Sequence, residues 1–400
     1  MASVLFSLRK SVAWGVLASA LGCSQAGGGR VTECSGHGTN TGAASTAPAC
    51  RCEPAWTGPS CETAVSVVAG PTIEASGPKA FASIAASRDG RGLATTDRTV
   101  FAVGGREAGQ TVFAAPPDSR VQLDPSGLRF GVSVPHGFEV RDRSGNLLLS
   151  LPNDAGEYFR LVPESDRVLV AIPDLRDRDD RPVHRLRIVG GSGQTVAEIA
   201  APNVKVTRPT RDAIFYSTST ELVRLSTDGA PAWRIPVRLD RFEVSDDSSL
   251  VVALGGRERV RVVLHYSDKG ELLGSQDISE GVWNLAASPS GTFSVATTKN
   301  RIWLFQRGTV ERTIDVPVRY LVSTAVSDRG EVLVGAQNAD QHACAYLFDA
   351  WGNRLWERVT NDDETQAFRP EVKFLPDASG YIVREKQKVL SFSLAQGRAR

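Results

Sequence analysis

Histidine, the usual general base and metal ligand of proteins, is sparse in this chain. Five occur in 400 residues, at positions 37, 136, 184, 265 and 342. They share no common spacing, so the sequence does not predict that they converge on one metal ion or one substrate. No catalytic, metal-binding or cofactor-binding residue is predicted from them.

Two short segments carry other potential metal ligands. The run from Asp174 to Pro182 is rich in carboxylates, the oxygen ligands that Ca²⁺ prefers. Arginine alternates with aspartate throughout the run, however, and this neutral balance favours a solvated loop between strands. His342 and Cys344 form a pair, but two ligands rarely hold a metal, and Cys344 is expected to be a small buried side chain. No P-loop, G-x-S-x-G or H-E-x-x-H motif occurs in the sequence.

Composition favours an all-β protein with many turns. The chain is 41% hydrophobic and 23% charged, with 37 Gly and 21 Pro, so it can bury a core but is rich in residues that interrupt helices. The formal charge is +1, without a basic patch interleaved with aromatic residues. The sequence therefore predicts no nucleic-acid partner.

The N-terminal residues indicate export. Arg9 and Lys10 precede an apolar stretch, Ser11 to Leu21, that is too short for a lasting transmembrane helix, so residues 1–22 are predicted to be a signal peptide. The sequence Ala20-Leu21-Gly22-Cys23 resembles the bacterial lipobox, although that family usually carries Leu where Ala20 stands. The resemblance implies cleavage before Cys23 and lipidation of its thiol. The alternative is ordinary cleavage and an unmodified Cys23.

The residues that follow are typical of a tether. Residues 23–30 are rich in Gly and suit a flexible link between a membrane and a folded domain. By resemblance to Gram-negative lipoproteins, Ser24 after the lipidated Cys implies the bacterial outer membrane, with a secreted or periplasmic protein as the alternative. We therefore expect a membrane contact through the lipid anchor.

The clustered cysteines indicate a small disulfide-stapled module. The six cysteines occupy positions 23, 34, 50, 52, 61 and 344. In an exported chain such a cluster usually forms disulfides, with a zinc site as the rival interpretation. The segment from Cys50 to Cys61, with Trp56 and Gly58, resembles the C-terminal half of an EGF-like module, and Cys34-Ser-Gly36-His37-Gly38 resembles the opening of the tenascin type.

This resemblance implies a degenerate EGF-like module over residues 31–62. Compared with the family, the first and third cysteines are both missing, and these two are partners, so no thiol is left unpaired. The implied bonds are Cys34 to Cys50 and Cys52 to Cys61, each contributing about 3 kcal/mol by restricting the unfolded chain. The acidic residues of the calcium-binding subtype are lacking at the N-terminal edge.

Residues 65–400 repeat a pattern of apolar run, turn and second apolar run. The turns recur about every 40 residues, the length of one four-stranded propeller blade, near Asp89, Asp124, Asp166, Asp212, Asp246, Gly291, Asp328 and Asp377. Spacing and turn chemistry resemble the WD40 and quinoprotein-like propeller families, although the Trp-Asp dipeptide of the former is lacking. We predict an eight-bladed β-propeller, with a seven-bladed ring or an unrelated β-sandwich tandem as the alternatives.

The ends of the repeat region predict how the ring closes. The last repeat ends one strand early, at Val389 to Leu394, whereas a spare apolar run, Val65 to Ile73, precedes the first complete repeat. A ring of sheets leaves no free edge when the spare strand completes the last blade. The strand at about residues 65–75 is therefore predicted to close blade 8.

These features predict binding rather than catalysis. The expected protein is a monomeric, surface-anchored scaffold lipoprotein whose propeller binds a protein or a surface polymer, with the EGF-like module as a spacer. The alternative is a propeller enzyme, such as a hydrolase, a lactonase or a quinoprotein-like oxidoreductase, with its active site in the central channel. A structural envelope component is a third possibility. Three or more His, Asp or Glu side chains converging in the channel would favour the enzyme.

Overall fold

Period-two apolar runs separated by Gly- and Asp-containing turns fold into antiparallel sheets. The computed structural model describes residues 38–40, 50–53, 56–58, 61, 63–74, 81–87, 91–96, 98–103, 107–117, 119–134, 137–152, 158–173, 183–257, 260–360, 370–386 and 388–398. All of them belong to one unit, Glu33–Arg400. In these ranges the regular elements are strands, and no helix is long and apolar enough to cross a membrane.

Four strands of the described residues precede the first complete blade: β1 (Gly38–Asn40), β2 (Cys50–Cys52), β3 (Trp56–Thr57) and β4 (Thr63–Glu74). Blade 1 follows with β5 (Ser83–Ala86), β6 (Gly92–Thr95), β7 (Thr99–Val103) and β8 (Thr111–Ala114). Blade 2 contains β9 (Arg120–Leu123), β10 (Arg129–Val134), β11 (Gly137–Asp142) and β12 (Leu147–Pro152). Blade 3 contains β13 (Tyr158–Leu161), β14 (Val168–Pro173), β15 (Val183–Val189) and β16 (Thr195–Val204).

The second half of the ring repeats this order. Blade 4 contains β17 (Val206–Pro209), β18 (Ala213–Ser217), β19 (Glu221–Ser226) and β20 (Pro231–Pro236). Blade 5 contains β21 (Leu239–Val244), β22 (Leu250–Arg257), β23 (Val260–Ser267) and β24 (Leu272–Ile278). Blade 6 contains β25 (Asn284–Ala287), β26 (Phe293–Thr297), β27 (Arg301–Gln306) and β28 (Thr309–Asp315). Blade 7 contains β29 (Tyr320–Val326), β30 (Val332–Gln337), β31 (Ala343–Phe348) and β32 (Arg354–Val359).

Blade 8 is assembled from both ends of the described chain. It contains β33 (Glu371–Phe374), β34 (Gly380–Arg384) and β35 (Lys388–Arg398), and its sheet continues through β4 to β3. Strand β4 runs antiparallel to β35, with Ile73 opposite Val389 and Val67 opposite Leu394. The chain is thus an eight-bladed propeller, which confirms the predicted fold class and excludes the seven-bladed alternative.

The core lies between neighbouring blades, because each middle strand buries both of its faces. On β14, Val168 and Val170 pack against blade 2, whereas Leu169 between them packs against Ile214 and Tyr216 of blade 4. All three β14 side chains are at most 1% exposed. Strands buried on both faces must be apolar at successive positions, which explains the continuous apolar runs in the sequence.

The outer hairpins of several blades share one turn. Gly145, Gly193, Gly229, Gly270 and Gly352 occupy the same position in it, with φ angles of 88°, 84°, 86°, 82° and 84°. Glycine adopts this left-handed conformation without the steric cost that a Cβ atom imposes. In blades 2 and 7 an Asp opens the turn and an Asn closes it.

The EGF-like segment is attached directly to the propeller. Cys52 and Cys61 form a disulfide with Cα atoms 5.3 Å apart. Cys50 is also disulfide-bonded, and Cys34, the partner implied by the EGF-like resemblance, lies outside the described residues. Strand β3, which lies between Cys52 and Cys61 in the sequence, pairs with β4. The module therefore adds a fifth strand to the sheet of blade 8.

A second attachment uses the outer turn of blade 7, Asp349 to Asn353. The Thr57 hydroxyl donates a hydrogen bond of 2.6 Å to Asp349 Oδ2, and the Cys52 amide donates one of 3.3 Å to Asn353 Oδ1. Asp349 is 2% exposed. Burial raises its pKa, although hydrogen bonds from Thr57 and Asn353 act in the opposite direction.

The equivalent turn of blade 2 shows what the EGF-like segment changes. Asp142 accepts the same local hydrogen bonds, from the Ser144 amide at 2.8 Å and from the Asn146 side chain at 2.8 Å. Burial acts to raise the pKa of Asp142 as well, but the hydrogen bonds from Asn146 and Ser144 outweigh it and the pKa is lowered. The same turn is therefore a solvated hairpin in blade 2 and a buried docking point in blade 7.

We expect Thr57→Val to destabilise the protein by about 1–3 kcal/mol, because it leaves the buried Asp349 carboxylate short of one hydrogen bond. The free energy of unfolding, measured by denaturant titration, checks this. Thr195→Val, at an exposed position of β16, is the control and should stay close to wild type. Equal stability of the two variants would contradict the proposed attachment.

Candidate functional site

Several residues singled out from the sequence lie outside the described part of the chain. These are Cys23, Cys34, His37, His136 and the run from Asp174 to Pro182; the side chain of His184 is not described either. His342 is half-buried and its amide hydrogen-bonds to Asn338 Oδ1 at 2.9 Å. Cys344 is a free thiol, 3% exposed, and burial raises its pKa to about 11. It packs in the core between blades 6 and 7, as expected of a small apolar residue.

His265 is a buried residue of the interface between blades 5 and 6. Its Nε2 lies 2.8 Å from Ser294 Oγ, and its ring centroid lies 4.6 Å from that of Phe305. Burial lowers its pKa to about 4, although the backbone of Gly274 acts to raise it. Across the described ranges, no three His, Cys, Asp or Glu side chains come together at metal-binding distance.

The central channel is lined by the first strand of each blade: β5, β9, β13, β17, β21, β25, β29 and β33. Neighbouring first strands contact one another around the ring, as β17 contacts β21 and β29 contacts β33. On β13, Phe159 and Leu161 are buried between blades, whereas Tyr158 and Arg160 are exposed. Because side chains alternate along a strand, the exposed set faces the solvent of the channel.

Equivalent channel positions can be defined from the turn after each first strand. In every blade the backbone amide of the first turn residue donates a hydrogen bond to a backbone carbonyl on the far side of the turn. These first turn residues are Ser87, Asp124, Val162, Thr210, Ser245, Ser288, Ser327 and Leu375. Two positions earlier lies what we call the turn-proximal ring: Ala85, Gln122, Arg160, Arg208, Glu243, Ala286, Ala325 and Lys373. Four positions earlier lies the middle ring: Ser83, Arg120, Tyr158, Val206, Arg241, Asn284, Ser323 and Glu371.

The two rings concentrate positive charge. All sixteen positions are described, and they comprise five cationic side chains and two carboxylates, a net charge of +3, in a chain whose formal charge is +1. The carboxylates are Glu243 and Glu371. When charges of one sign line a channel, the low-dielectric protein around them concentrates their electrostatic field in the channel. These two rings of the channel therefore carry a net positive charge.

Arg208 and Glu243 form a bidentate ion pair within the turn-proximal ring. Arg208 Nε donates to Glu243 Oε2 at 2.9 Å, and Nη2 donates to Oε1 at 2.7 Å. Both side chains are 33% exposed. Burial acts to lower the pKa of Arg208, but the hydrogen bonds and charge of Glu243 outweigh this and raise it.

Arg160 stands beside this pair on the preceding blade. Burial and the positive charge of Arg208 lower its pKa, and the charge of Glu243 partly opposes them. Among the described residues, Arg160 has no hydrogen bond or ion pair of its own side chain. Arg160 therefore interacts with the pair through charge alone, and the three side chains together carry a net charge of +1.

A cavity of about 200 Å³ opens at the turn end of the channel next to Arg208 and Glu243. Turns from blades 2, 3, 4, 5 and 8 line it, with Pro125, Pro163, Pro209 and Pro376 among the wall residues. Glu164, Arg211 and Asp246 line it as well. Proline has a restricted backbone, so these walls are stiff. The lining thus combines two arginines, Arg208 and Arg211, with three carboxylates.

The sequence interpretation did not identify this arrangement. Its signal was present, because aligning the eight turns and counting back two residues places Arg160, Arg208, Glu243 and Lys373 at one level. Composition and motif searches see only scattered charges, since consecutive members of the ring are separated by whole blades.

One family model is similar to a short part of the chain. Residues 32–64 match the Teneurin-like EGF domain, which agrees with the EGF-like module expected from the cysteine spacing. No curated protein matches the sequence.

Solved structures with the same kind of fold are distant in sequence. They include KlHsv2 from Kluyveromyces lactis with loop 6CD replaced by a Gly-Ser linker, at 10% identity and a TM-score of 0.52, covering 70% of this chain and 96% of that one. Hsv2 of Kluyveromyces marxianus has 13% identity and a TM-score of 0.50, covering 66% and 88%. A eukaryotic initiation factor has 11% identity and a TM-score of 0.52, covering 78% and 83%. At these identities the likeness shows the propeller fold alone.

The pKa of His265 generates a pH dependence of stability. The unfolded chain binds a proton at His265 below about pH 6.5, whereas the native protein does so only below about pH 4. Between these values the unfolded state binds more protons, so the free energy of unfolding should fall as the pH falls, by roughly 3 kcal/mol from this residue.

Denaturant titrations of wild type and His265→Gln between pH 7 and pH 4 check this expectation. The free energy of unfolding of His265→Gln should lack the part of the pH dependence that comes from His265, whatever its value at pH 7. His342→Gln, which removes a histidine outside the core, corrects for the loss of one imidazole. Identical slopes for the wild type and His265→Gln would show that the residue is not a buried neutral histidine.

Proposed function

We propose that the protein is an exported binding scaffold, anchored to the bacterial outer membrane by a lipid on Cys23. In this proposal residues 1–22 are removed as a signal peptide, residues 23–30 form the tether, and the propeller binds a protein or a surface polymer as a monomer. The propeller fold and the Teneurin-like EGF match support a binding scaffold in general terms. The membrane, the anchor and a kinship with WD40 or quinoprotein-like propellers are inferred from sequence resemblance.

The observation that carries the proposal is the disulfide-stapled segment on the propeller. Disulfides persist in oxidising compartments outside the cytoplasm, and the Cys52–Cys61 bond closes a loop of the kind that small exported modules use. Exported chains with such a module need a signal for export, which residues 1–22 would supply.

The contacts of Thr57 and Cys52 with blade 7 refine the role of the module. The EGF-like segment pairs with β4 and hydrogen-bonds to Asp349 and Asn353, so we expect it to move together with the propeller. The freedom between membrane and propeller would then come from the Gly-rich residues before the module. In this arrangement the binding surface keeps a defined orientation relative to the EGF-like segment.

Intact mass of the membrane-extracted protein tests the proposal. We expect a chain that begins at Cys23, carries a diacyl or triacyl increment, and under denaturing conditions alkylates at Cys344 alone before reduction. After reduction, Cys34, Cys50, Cys52 and Cys61 should become alkylated as well.

The matched control is Cys23→Ser, which should lose the lipid increment and leave the membrane fraction. Retention of residues 1–22, or alkylation of Cys23 in the wild type, would remove the anchor from the proposal. Cysteines that are reduced in the isolated protein would remove the oxidising compartment.

A further inference from the structure

We propose that the mouth of the channel formed by blades 5, 6 and 7 binds an acidic polysaccharide, with one sugar ring stacked on Trp283 and a carboxylate beside Lys299 and Arg319. This mouth lies at the end of the channel opposite the cavity, because Trp283 directly precedes β25 and Tyr320 begins β29. The inference rests on the proposed binding function and names a surface polymer, rather than a protein, as the ligand. It does not depend on the lipid anchor, which the mass measurement tests separately.

This mouth carries an aromatic platform formed by Trp283 and Tyr320. The two rings are stacked, with centroids 5.3 Å apart and an angle of 20° between their planes. Trp283 is nevertheless 40% exposed, so part of its indole ring faces the solvent. An exposed aromatic ring provides a flat, rigid contact surface that loses little conformational entropy on binding. The face of a sugar ring that carries C–H groups can stack on such a surface.

The edge of the indole ring offers a polar contact next to this surface. Within the described residues, Trp283 Nε1 makes no hydrogen bond. Gly281 lies beside it, and a Cβ atom at Gly281 would stand 3.6 Å from Nε1. Because glycine has no side chain, the N–H donor stays accessible to a hydroxyl group of a ligand. Trp283 thus combines an apolar face with a free donor, which matches the mixed surface of a sugar.

Hydrogen bonds between three blades hold the backbone of the platform. The Trp283 amide donates to the Thr297 carbonyl at 2.7 Å, and Arg241 of blade 5 donates from Nη1 to the Trp283 carbonyl. The Asn284 side chain of blade 6 donates to the Leu321 carbonyl of blade 7 at 3.4 Å. The platform is therefore formed before a ligand arrives, which lowers the entropy cost of binding.

Three cations surround the platform. Lys299 Nζ and the guanidinium carbon of Arg319 lie 5.6 Å and 5.1 Å from the centroid of the Tyr320 ring, within the range of cation–π attraction. Arg241, bonded to the Trp283 carbonyl, is the third. The side chains of all three are exposed, and among the described residues none of them forms an ion pair with a carboxylate. They therefore place three positive charges around the two aromatic rings.

The neighbouring carboxylates do not neutralise these three cations. Asp240 is paired with Arg261, and Glu280 lies 3.1 Å from Arg301. Arg301 also pairs with Asp315, at 2.7 Å. When these two arginines and three carboxylates are added to the three cations, the net charge of the region is still +2. A ligand with carboxylates would therefore gain electrostatic attraction here in addition to stacking.

The layout of the platform favours a chain molecule over a small acid. Its rings and cations come from blades 5, 6 and 7 and are exposed or half-buried, so they form an open strip along the channel mouth. An acidic polysaccharide repeats a stackable ring and a carboxylate along its length, and several of its units can contact the strip at once. An acidic peptide matches the charges but brings no sugar ring to Trp283, so the two ligand classes differ in what they require of the indole.

Calorimetric titration of the full chain with oligogalacturonate tests the site. One matched probe is its methyl-esterified form, which keeps the sugar rings without the charge. The other is oligoglutamate of the same length, which keeps the charge without the rings. We expect oligogalacturonate to bind the wild type about tenfold more tightly than either control. Absence of its binding, or equally tight binding of oligoglutamate, which would indicate a surface for acidic peptides, would overturn the proposal.

Substitutions of the indole assign the binding to the platform. Trp283→Ala should raise the dissociation constant for oligogalacturonate about tenfold, whereas Trp283→Phe, which keeps a stacking ring, should raise it less. Tyr158→Ala removes a 59% exposed aromatic side chain from β13 on blade 3 and is the control, with an expected change below about twofold. Unchanged affinity in Trp283→Ala would contradict the assignment.

A pair of lysine variants tests the charge. Lys299→Gln should raise the dissociation constant for oligogalacturonate severalfold. Lys269→Gln removes the same charge from an exposed outer turn of blade 5 and should leave the constant nearly unchanged. Equal effects of the two would show a response to net charge alone and overturn the site. A chain that is lipidated on Cys23 but does not bind oligogalacturonate would disprove this inference while leaving the anchored scaffold intact.

Discussion

Burial of both faces of every sheet against the neighbouring blades is the constraint on which the rest of the molecule depends. Valine and leucine side chains that alternate along β14 belong to two different interfaces, and the strand β22 does the same between blades 4 and 6. Sheet faces used in this way are not available to a ligand. The innermost strands and the turns remain accessible. Side chains that contact a ligand or an attached module must therefore lie on them.

The chain uses these two accessible regions differently. The innermost strands of blades 3 to 5 carry Arg160, Arg208 and Glu243 toward the channel, where partial desolvation strengthens the electrostatic interactions between these side chains. The outer turn of blade 7 instead receives the EGF-like segment through Asp349. The channel side of the repeat thus carries a bidentate ion pair, and an outer turn holds an attached module, without altering the core that both share.

Much of the architecture is predictable because it is encoded locally. Turns near Asp124 and Asp328 recur at blade spacing, and the spare apolar run near Val65 matches a missing last strand. The spacing of the cysteines likewise indicates the disulfide between Cys52 and Cys61, which are nine residues apart. The attachment of Thr57 to Asp349 could not be predicted, since 292 residues separate them and the same Asp-to-Asn turn in blade 2 remains solvated. The Arg208–Glu243 pair depends on the twist between two blades, which the sequence pattern does not specify.

The pairing of β4 with β35 has a consequence for how the protein is made. Ser66 and Ala395, joined across these strands, are separated by 329 residues, so the ring closes only after the last strand of blade 8 has been synthesised. Contacts of such long range form slowly, because the closure entropy must be overcome before they are gained. Until then the growing chain carries unpaired strand edges at both ends, and it has to be protected from pairing with other chains. The closed ring is therefore a late product of folding, and loss of the last strand would leave every earlier blade in an open, aggregation-prone arc.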